Sequence, residues 1–488
     1  MRHLALIAPL ALFPAAAHAG YGTGDCTIPG AEATTCAALD LIRTTQDDIA
    51  VQDVSGDGST LVGSVGEGAS LRAVRWIDGV LSTLPLPPGA ELAEASVTSH
   101  DGNQVAGGMS ESWLVGGPVH AYHWDAEAGY TLLDLPQGLF HFHDLSPDGQ
   151  VLVGQIDHDA PTFGVSTYRW TAGSGLEVLA DTFNSALATT DDAAVGRTGD
   201  GVVLWDASGT ITIFDDPDWD PAAISPDGSL VAGMQWGGGD PVAVVWEDGV
   251  LTPLALPAGM ATAGATDVTA DGSLVLGWGQ GSAHLAPKVA FVWQDGVPRR
   301  VDDLLLQDFG LGTNGFTLQG AQRVSEDGRV LIGSGKTPTG GRAQFVAVLS
   351  PKLGLDVLPG EPDNFVVLPR TVPISLIVYG SDQTEIAALD VASLAFGPGA
   401  AAPTQELLAG DANGDGLLDR HFQFDAAAVG LGPTDTKACL TGRADGYPFR
   451  VCTHVTMRSF TSCGIGFELA LVLPPLAWLH RRRRARRA

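Results

Sequence analysis

One short phrase recurs along this chain, and its spacing limits the fold more than any other feature. It reads Asp53-Val-Ser-Gly-Asp57-Gly58, Ser99-His-Asp101-Gly102, Asp144-Leu-Ser-Pro-Asp148-Gly149, Ile224-Ser-Pro-Asp227-Gly228, Asp267-Val-Thr-Ala-Asp271-Gly272 and Val324-Ser-Glu-Asp327-Gly328. A degenerate copy stands at Thr189-Thr-Asp191-Asp192. From copy to copy the last aspartate advances by 44, 47, 44, 35, 44 and 56 residues. Each copy leads into an apolar run ending in glycine: Gly63, Gly107, Gly154, Gly196, Gly233, Gly277 and Gly333. A variable polar stretch follows, then a run ending in an aromatic: Trp76, Trp124, Trp170, Trp205, Trp246, Trp293 and, in the last copy, Phe345. Most copies add a second tight turn, such as Asp78-Gly79 or Asp295-Gly296, and a run closing on Leu-Pro, as at Leu84-Pro85.

Asp-Gly supplies the positive φ of a tight hairpin turn. The flanking runs are four to six residues long and alternating or wholly apolar, which marks strands rather than helices. About four short strands per ~45 residues is the size of one propeller blade. A lone blade cannot cover its own faces, whereas seven in a ring bury them against one another and protect their edges. Aromatics that recur at one phase of the unit are then packing residues between blades. The predicted fold class is all-β: a seven-bladed β-propeller over residues 45–350, followed by a small β-sandwich and a C-terminal apolar and arginine-rich tail. A right-handed β-helix and an open solenoid are the alternatives. The D-x-S-x-D-G-x-x-x-x-G stretch with A-x-x-W after it resembles the HAF-type extracellular repeats of bacteria. The resemblance implies a secreted β-rich repeat protein and brings no catalytic residues with it.

The repeat breaks at about Ser350. Residues 355–458 carry short apolar runs between Gly/Pro turns, as in Asp356-Val-Leu-Pro-Gly360 and Ala395-Phe-Gly-Pro-Gly399, and read as the β-sandwich. Within them lies Asp411-Ala-Asn413-Gly-Asp415-Gly416-Leu417-Leu-Asp419. Oxygen donors at positions 1, 3 and 5, glycine at 6 and a carbonyl at 7 suit a hard cation. The predicted cofactor is calcium, held by Asp411, Asn413, Asp415, the Leu417 carbonyl and Asp419. Phe422 stands where an EF-hand has its glutamate. The loop looks instead like the calcium hairpin of integrin FG-GAP repeats, which implies a structural metal.

The ends of the chain are expected to be address labels. Residues 1–19 have the basic start, apolar core and small-residue close of a signal peptide, with cleavage before Gly20. Residues 20–44 form an N-terminal segment holding Cys26 and Cys36. Residues 463–488 join Cys463 to a short apolar run and six arginines. The sixteen residues between Cys463 and His480 reach ~24 Å as a helix, short of a ~30 Å bilayer core. This tail resembles the PEP-CTERM and MYXO-CTERM sorting tails. It implies transient membrane insertion with cytoplasmic arginines, then processing at Cys463 and display at the cell surface or outside it. A plain tail anchor is the alternative. Five cysteines fit an oxidising compartment. Cys26 with Cys36 and Cys439 with Cys452 are the nearest pairs, although four cysteines allow three connectivities.

Removing Arg2 of the leader and Glu468 plus six arginines of the tail moves the formal charge from −30 to about −36. Such a surface repels nucleic acid and anionic lipid. No nucleophile elbow, HExxH, CxxC or P-loop is present. Gly310-Leu-Gly312-Thr-Asn-Gly315 matches a dinucleotide fingerprint only by letter. His141-Phe-His143-Asp144 reads as an exposed strand end. Trp219 with Asp216, Asp218 and Asp220 is the candidate ligand site: a sugar could stack on the indole while carboxylates bind its hydroxyls. The expected function is a non-catalytic, monomeric surface or secreted protein that binds an extracellular ligand or matrix component through its loops. The alternatives are a polysaccharide lyase or glycosidase, which should gather acids or histidines from several blades at one end of the channel, and a structural surface-layer protein.

Overall fold

The computed structural model describes residues 26–459, apart from 43–48, 78–79, 112–118, 135–138, 159–163, 181–184, 199–200, 207–210, 215–217, 238, 248, 284, 362–363 and 369–371. The leader, the tail with Cys463, and Asp216 therefore lie outside the described residues. Among the described residues no helix is long and apolar enough to cross a membrane. The chain divides into two compact units.

The first unit is a β-propeller. Its antiparallel sheets follow the repeats in order, each with four strands placed side by side. The innermost strands are Ile49–Val54, the split pair Leu92–Ala93 and Val97–Thr98, Leu139–Leu145, Ser185–Thr189, Trp219–Ile224, Thr262–Val268 and Thr317–Val324. Each touches the next, and the seventh touches the first, so the cycle closes. The last sheet takes its outermost strand from the N-terminal side of the chain: Ala38–Ile42 pairs antiparallel with Arg342–Val348. Leu39 and Leu41 of that strand enter the core around Phe345 and Leu331. Between the seventh and first sheets, Val330, Ile332 and Val346 pack on Ile49, Val51 and Trp76. The Gln344 amide there extends the ladder, accepting from the Val51 N–H at 2.8 Å and donating to its carbonyl at 2.7 Å.

The repeated tryptophans fall on the third strands as expected, and Trp76, Trp124, Trp170, Trp205 and Trp293 are buried. Phe345 corrects the series. The tryptophans lie opposite residues such as Leu61 and Val275. Phe345 lies opposite Gly333, the phase held elsewhere by Tyr122, Tyr168 and Phe291. Its ring fills the space that the missing side chain of Gly333 leaves. A nine-residue helix, Val301–Phe309, interrupts the all-β pattern between the sixth and seventh sheets and buries Val301, Leu304 and Leu305. Gly310 ends it in the left-handed conformation, so the fingerprint-like glycines follow a helix instead of opening one.

The second unit is a small sandwich of a five-stranded and a three-stranded sheet. The larger has the order Ala33–Thr35, Leu353–Val357, Ile374–Tyr379, Asp419–Phe424, Pro403–Gly410. The smaller joins Leu389–Phe396, Lys437–Ala444 and Tyr447–His454. Phe396 of one sheet meets Phe424 of the other at 5.3 Å between ring centres, both fully buried. The segment expected to stand alone at 20–44 is divided instead: 27–35 belongs to this unit and the residues from 36 to the first. Its two short apolar runs each complete a sheet, and Cys26 and Cys36 bracket the first of them. Both local cysteine pairs are bonded, with Cα separations of 5.8 Å for Cys26–Cys36 and 4.0 Å for Cys439–Cys452. Such disulfides belong to an oxidising compartment.

Candidate functional site

Each repeat phrase builds one turn and, in three copies, one joint. In the first, Ser55 Oγ donates to Asp57 Oδ1 at 2.8 Å and accepts the Thr60 N–H at 2.9 Å, while Asp57 Oδ1 also accepts from the Ser59 N–H. The same bonds recur at Ser146 and Asp148, Ser225 and Asp227, and Ser325 and Asp327. Just before the turn the inner strand slips register by one residue, for example between Val51 and Asp53, Phe142 and Asp144, and Ala265 and Asp267. A bulge of this kind re-aims a side chain. Here it turns the first aspartate of the phrase toward the axis and brings a carbonyl hard against the repeat glycine on the next strand. A Cβ on Gly63, Gly154, Gly233, Gly277 or Gly333 would collide with that carbonyl.

Three axial aspartates each tie a blade to its successor. Asp53 Oδ2 accepts the Thr98 N–H at 2.9 Å, Asp144 Oδ2 the Thr189 N–H at 2.8 Å, and Asp267 Oδ2 the Val324 N–H at 2.7 Å. In the seventh blade Arg323 takes the same position. Its Nη2 reaches the His143 carbonyl in the third blade at 3.0 Å, and its Nε lies 3.6 Å from Asp53 Oδ1. Asp53, Asp144, Asp267 and Arg323 thus line one cavity of about 80 Å³, room for a handful of waters. At its rim His100 Nδ1 meets Glu326 Oε2 at 2.8 Å, over Gly56, where any side chain would obstruct the pair.

Burial pushes the Asp144 carboxyl up to about 7, opposed by Arg323 and reinforced by Asp53 and Asp267. Burial likewise lifts Asp267 to about 6, and raises Asp53, with Arg323 opposing in both. Asp144 and Asp267 border the cavity, so water touches them, but protein surrounds them otherwise. The Arg323 guanidinium is held above its ordinary range by the three aspartates, although burial, the largest influence, acts the other way. His100 is raised chiefly by its hydrogen bond to Glu326. Sequence reading passed over this hub. Its signal was an aspartate at the head of only some copies, with an arginine at the same phase of another.

The candidate ligand residues are rearranged. Trp219 is 1% exposed and packs among Ala188, Val195 and Val231, so its ring faces no ligand. It opens an inner strand at the phase of Ile49 and Phe140, both buried, and that shared phase is the clue the sequence held. Trp236 on the adjoining strand-to-strand loop is the exposed indole, at 42%. The predicted acids hold it: Trp236 Nε1 donates to Asp220 Oδ2 at 2.6 Å, and its backbone N–H donates to the Asp218 carbonyl at 2.7 Å. Arg197 pairs with the other oxygen of Asp220. His141, an exposed residue of the innermost strand Leu139–Leu145, meets Asp157 at 3.1 Å, while Asp144 turns away from it into the hub.

In the second unit the predicted calcium loop is closed by its own main chain. Asp411 accepts from the N–H groups of Gly414, Asp415 and Gly416, and Asp415 from that of Leu417. Asn413 donates to Asp415 Oδ2 and to the Pro29 carbonyl. Asp419 is buried and accepts from the Gly380 and Ala412 N–H groups. Leu417 follows Gly416, whose φ of 88° makes the sharp turn expected there. Among the described residues no three His, Cys, Asp or Glu side chains are gathered closely enough to chelate an ion. The donor types and order fit a calcium loop; their present orientation closes the turn.

No family model matches the chain, and no curated protein does. Solved structures similar to it include the β-propeller domain of the Trilobed protease from Pyrococcus furiosus, at 11% identity and TM-score 0.43, covering 61% of this chain and 95% of that one. An oligogalacturonate lyase from Vibrio parahaemolyticus is similar at 12% identity and TM-score 0.44, over 64% of this chain and 97% of that one. TolB from Acinetobacter baumannii is similar at 12% identity and TM-score 0.34, over 50% of this chain and 63% of that one. Likenesses this loose carry no argument about activity.

Proposed function

We propose that the protein is an exported, non-catalytic binding protein whose propeller holds a neutral extracellular glycan against Trp236. The observation that supports this is the fixed, exposed indole: Asp220 anchors its edge and Arg197 anchors Asp220, while the residue stays 42% exposed to meet a sugar face. A rigid aromatic of this kind offers contact area at little entropic cost. The acidic body disfavours anionic polysaccharide and nucleic acid. The enzyme reading has one observation of its own, the acids and His100 converging on the axis. Those aspartates, however, accept inter-blade N–H groups, so their carboxylates are engaged in holding blade to blade. Glycan microarrays and titration calorimetry on the mature chain test the reading. Trp236→Ala should weaken the strongest glycan ligand at least tenfold, about 1.4 kcal/mol, with the fold unchanged. Equal binding by the variant, or turnover of the glycan, would reject it.

The reading includes export by the leader, sorting through Cys463, a monomeric state and calcium at Asp411, Asn413, Asp415, Leu417 and Asp419. Spacing and the Gly416 turn support the calcium. On this reading EGTA lowers the melting temperature of the second unit, and Asp415→Ala removes most of that difference in a calorimetric scan; a wild-type melt indifferent to EGTA argues against the metal.

A further inference from the structure

The second unit holds a pair of carboxylates that its own side chains leave unbalanced. Asp356, on Leu353–Val357, is 8% exposed. Its Oδ1 is buried without a hydrogen-bond partner, and Oδ2 has only the Tyr379 hydroxyl at 3.5 Å. The neighbouring edge strand pairs Ala33 with Leu355, and the Glu32 N–H continues that ladder to the Leu355 carbonyl at 2.9 Å. Glu32 therefore stands directly across from Asp356. Like charges opposite each other weaken a sheet, and a buried carboxylate oxygen without a partner costs more still. On the other side Asp356 faces Ile377, with Tyr379 one step along the same face. Burial, then Glu32, raises the Asp356 carboxyl to about 6, and only the Tyr379 hydroxyl opposes them. Among the described residues no ion pair joins either carboxylate to a basic side chain.

We propose that Glu32 and Asp356, with the Tyr379 hydroxyl, hold a hard divalent cation of the calcium class between the edge strand Ala33–Thr35 and the sheet it completes. Calcium takes six to eight oxygens with loose geometry, so two carboxylates and a hydroxyl leave the remainder to main-chain carbonyls and water. The ion removes the repulsion and partners the orphaned oxygen. It also cross-links residues more than 300 positions apart in the chain. This site adjoins the 411–419 loop, Tyr379 lying opposite Asp419 on the next strand, but uses none of that loop's donors and does not depend on the glycan reading.

Equilibrium dialysis of the mature chain against calcium counts the ions, and terbium luminescence excited through tyrosine reports one beside Tyr379. Asp356→Asn should bind one calcium fewer than wild type and lose most tyrosine-sensitised terbium emission. Glu32→Gln, an exposed change that should leave folding intact, should weaken that ion at least tenfold. Asp415→Ala should leave it in place, which separates this site from the loop. Unchanged stoichiometry and affinity in both Asp356→Asn and Glu32→Gln overturn the proposal. So does an infrared carboxylic-acid band at neutral pH that disappears in Asp356→Asn and ignores calcium, because the oxygen would then be satisfied by a proton.

Discussion

A glycine that looks like a repeat ornament is, residue by residue, a clearance. Gly277 lies on a second strand where the bulged inner strand drives the Gly264 carbonyl into the place of a Cβ, with the Trp293 ring just beyond. Neither obstacle is the free end of a flexible side chain, so alanine must displace backbone or a packed indole. Gly277→Ala should therefore cost at least about 1–3 kcal/mol, read from urea unfolding followed by tryptophan fluorescence. Gly173 has no atom near its would-be Cβ and an ordinary φ, so Gly173→Ala should stay within about 0.5 kcal/mol. Equal effects at the two positions would refute the clearance argument.

At the scale of elements, the strands and their order were legible because hairpin turns and apolar runs obey local rules that recur with each copy. The phrase Asp-x-Ser-x-Asp-Gly marked the turn without disclosing that its first and last aspartates do different work. The last one folds its own hairpin, as at Asp57, and the first one reaches the next blade, as from Asp53 to Thr98. That division depends on a one-residue slip in the inner strand, which leaves no composition signal. Trp219 and Trp236 were exchanged for a related reason. Both sit near acids in the sequence, and strand phase alone decides which indole enters the core. Ala38–Ile42 was missed as a propeller strand because its partner lies some 300 residues downstream.

At the scale of the whole molecule, the axial hub links stability to pH. Folding raises Asp144 from 3.8 to about 7 and Asp267 to about 6. A carboxyl raised on folding binds its proton more tightly in the native state, so its contribution is complete below the unfolded value and fades as pH rises through the folded one. The propeller should lose on the order of 4 kcal/mol between pH 5 and pH 8. His100, also raised, adds a loss of the same sign. The turn aspartates Asp101 and Asp227 are lowered, and act only at more acidic pH. Asp144→Asn should flatten the profile in urea titrations and leave the variant more stable than wild type at pH 8; a wild-type profile that rises across this range would contradict the burial argument. The N-terminal strand Ala38–Ile42 has a consequence in time. Synthesis delivers it before any of the seven sheets, yet its seat exists only after Arg342–Val348 has been made. The earliest propeller strand to be made is thus the last to be docked, and until the chain is complete its bare edge must wait.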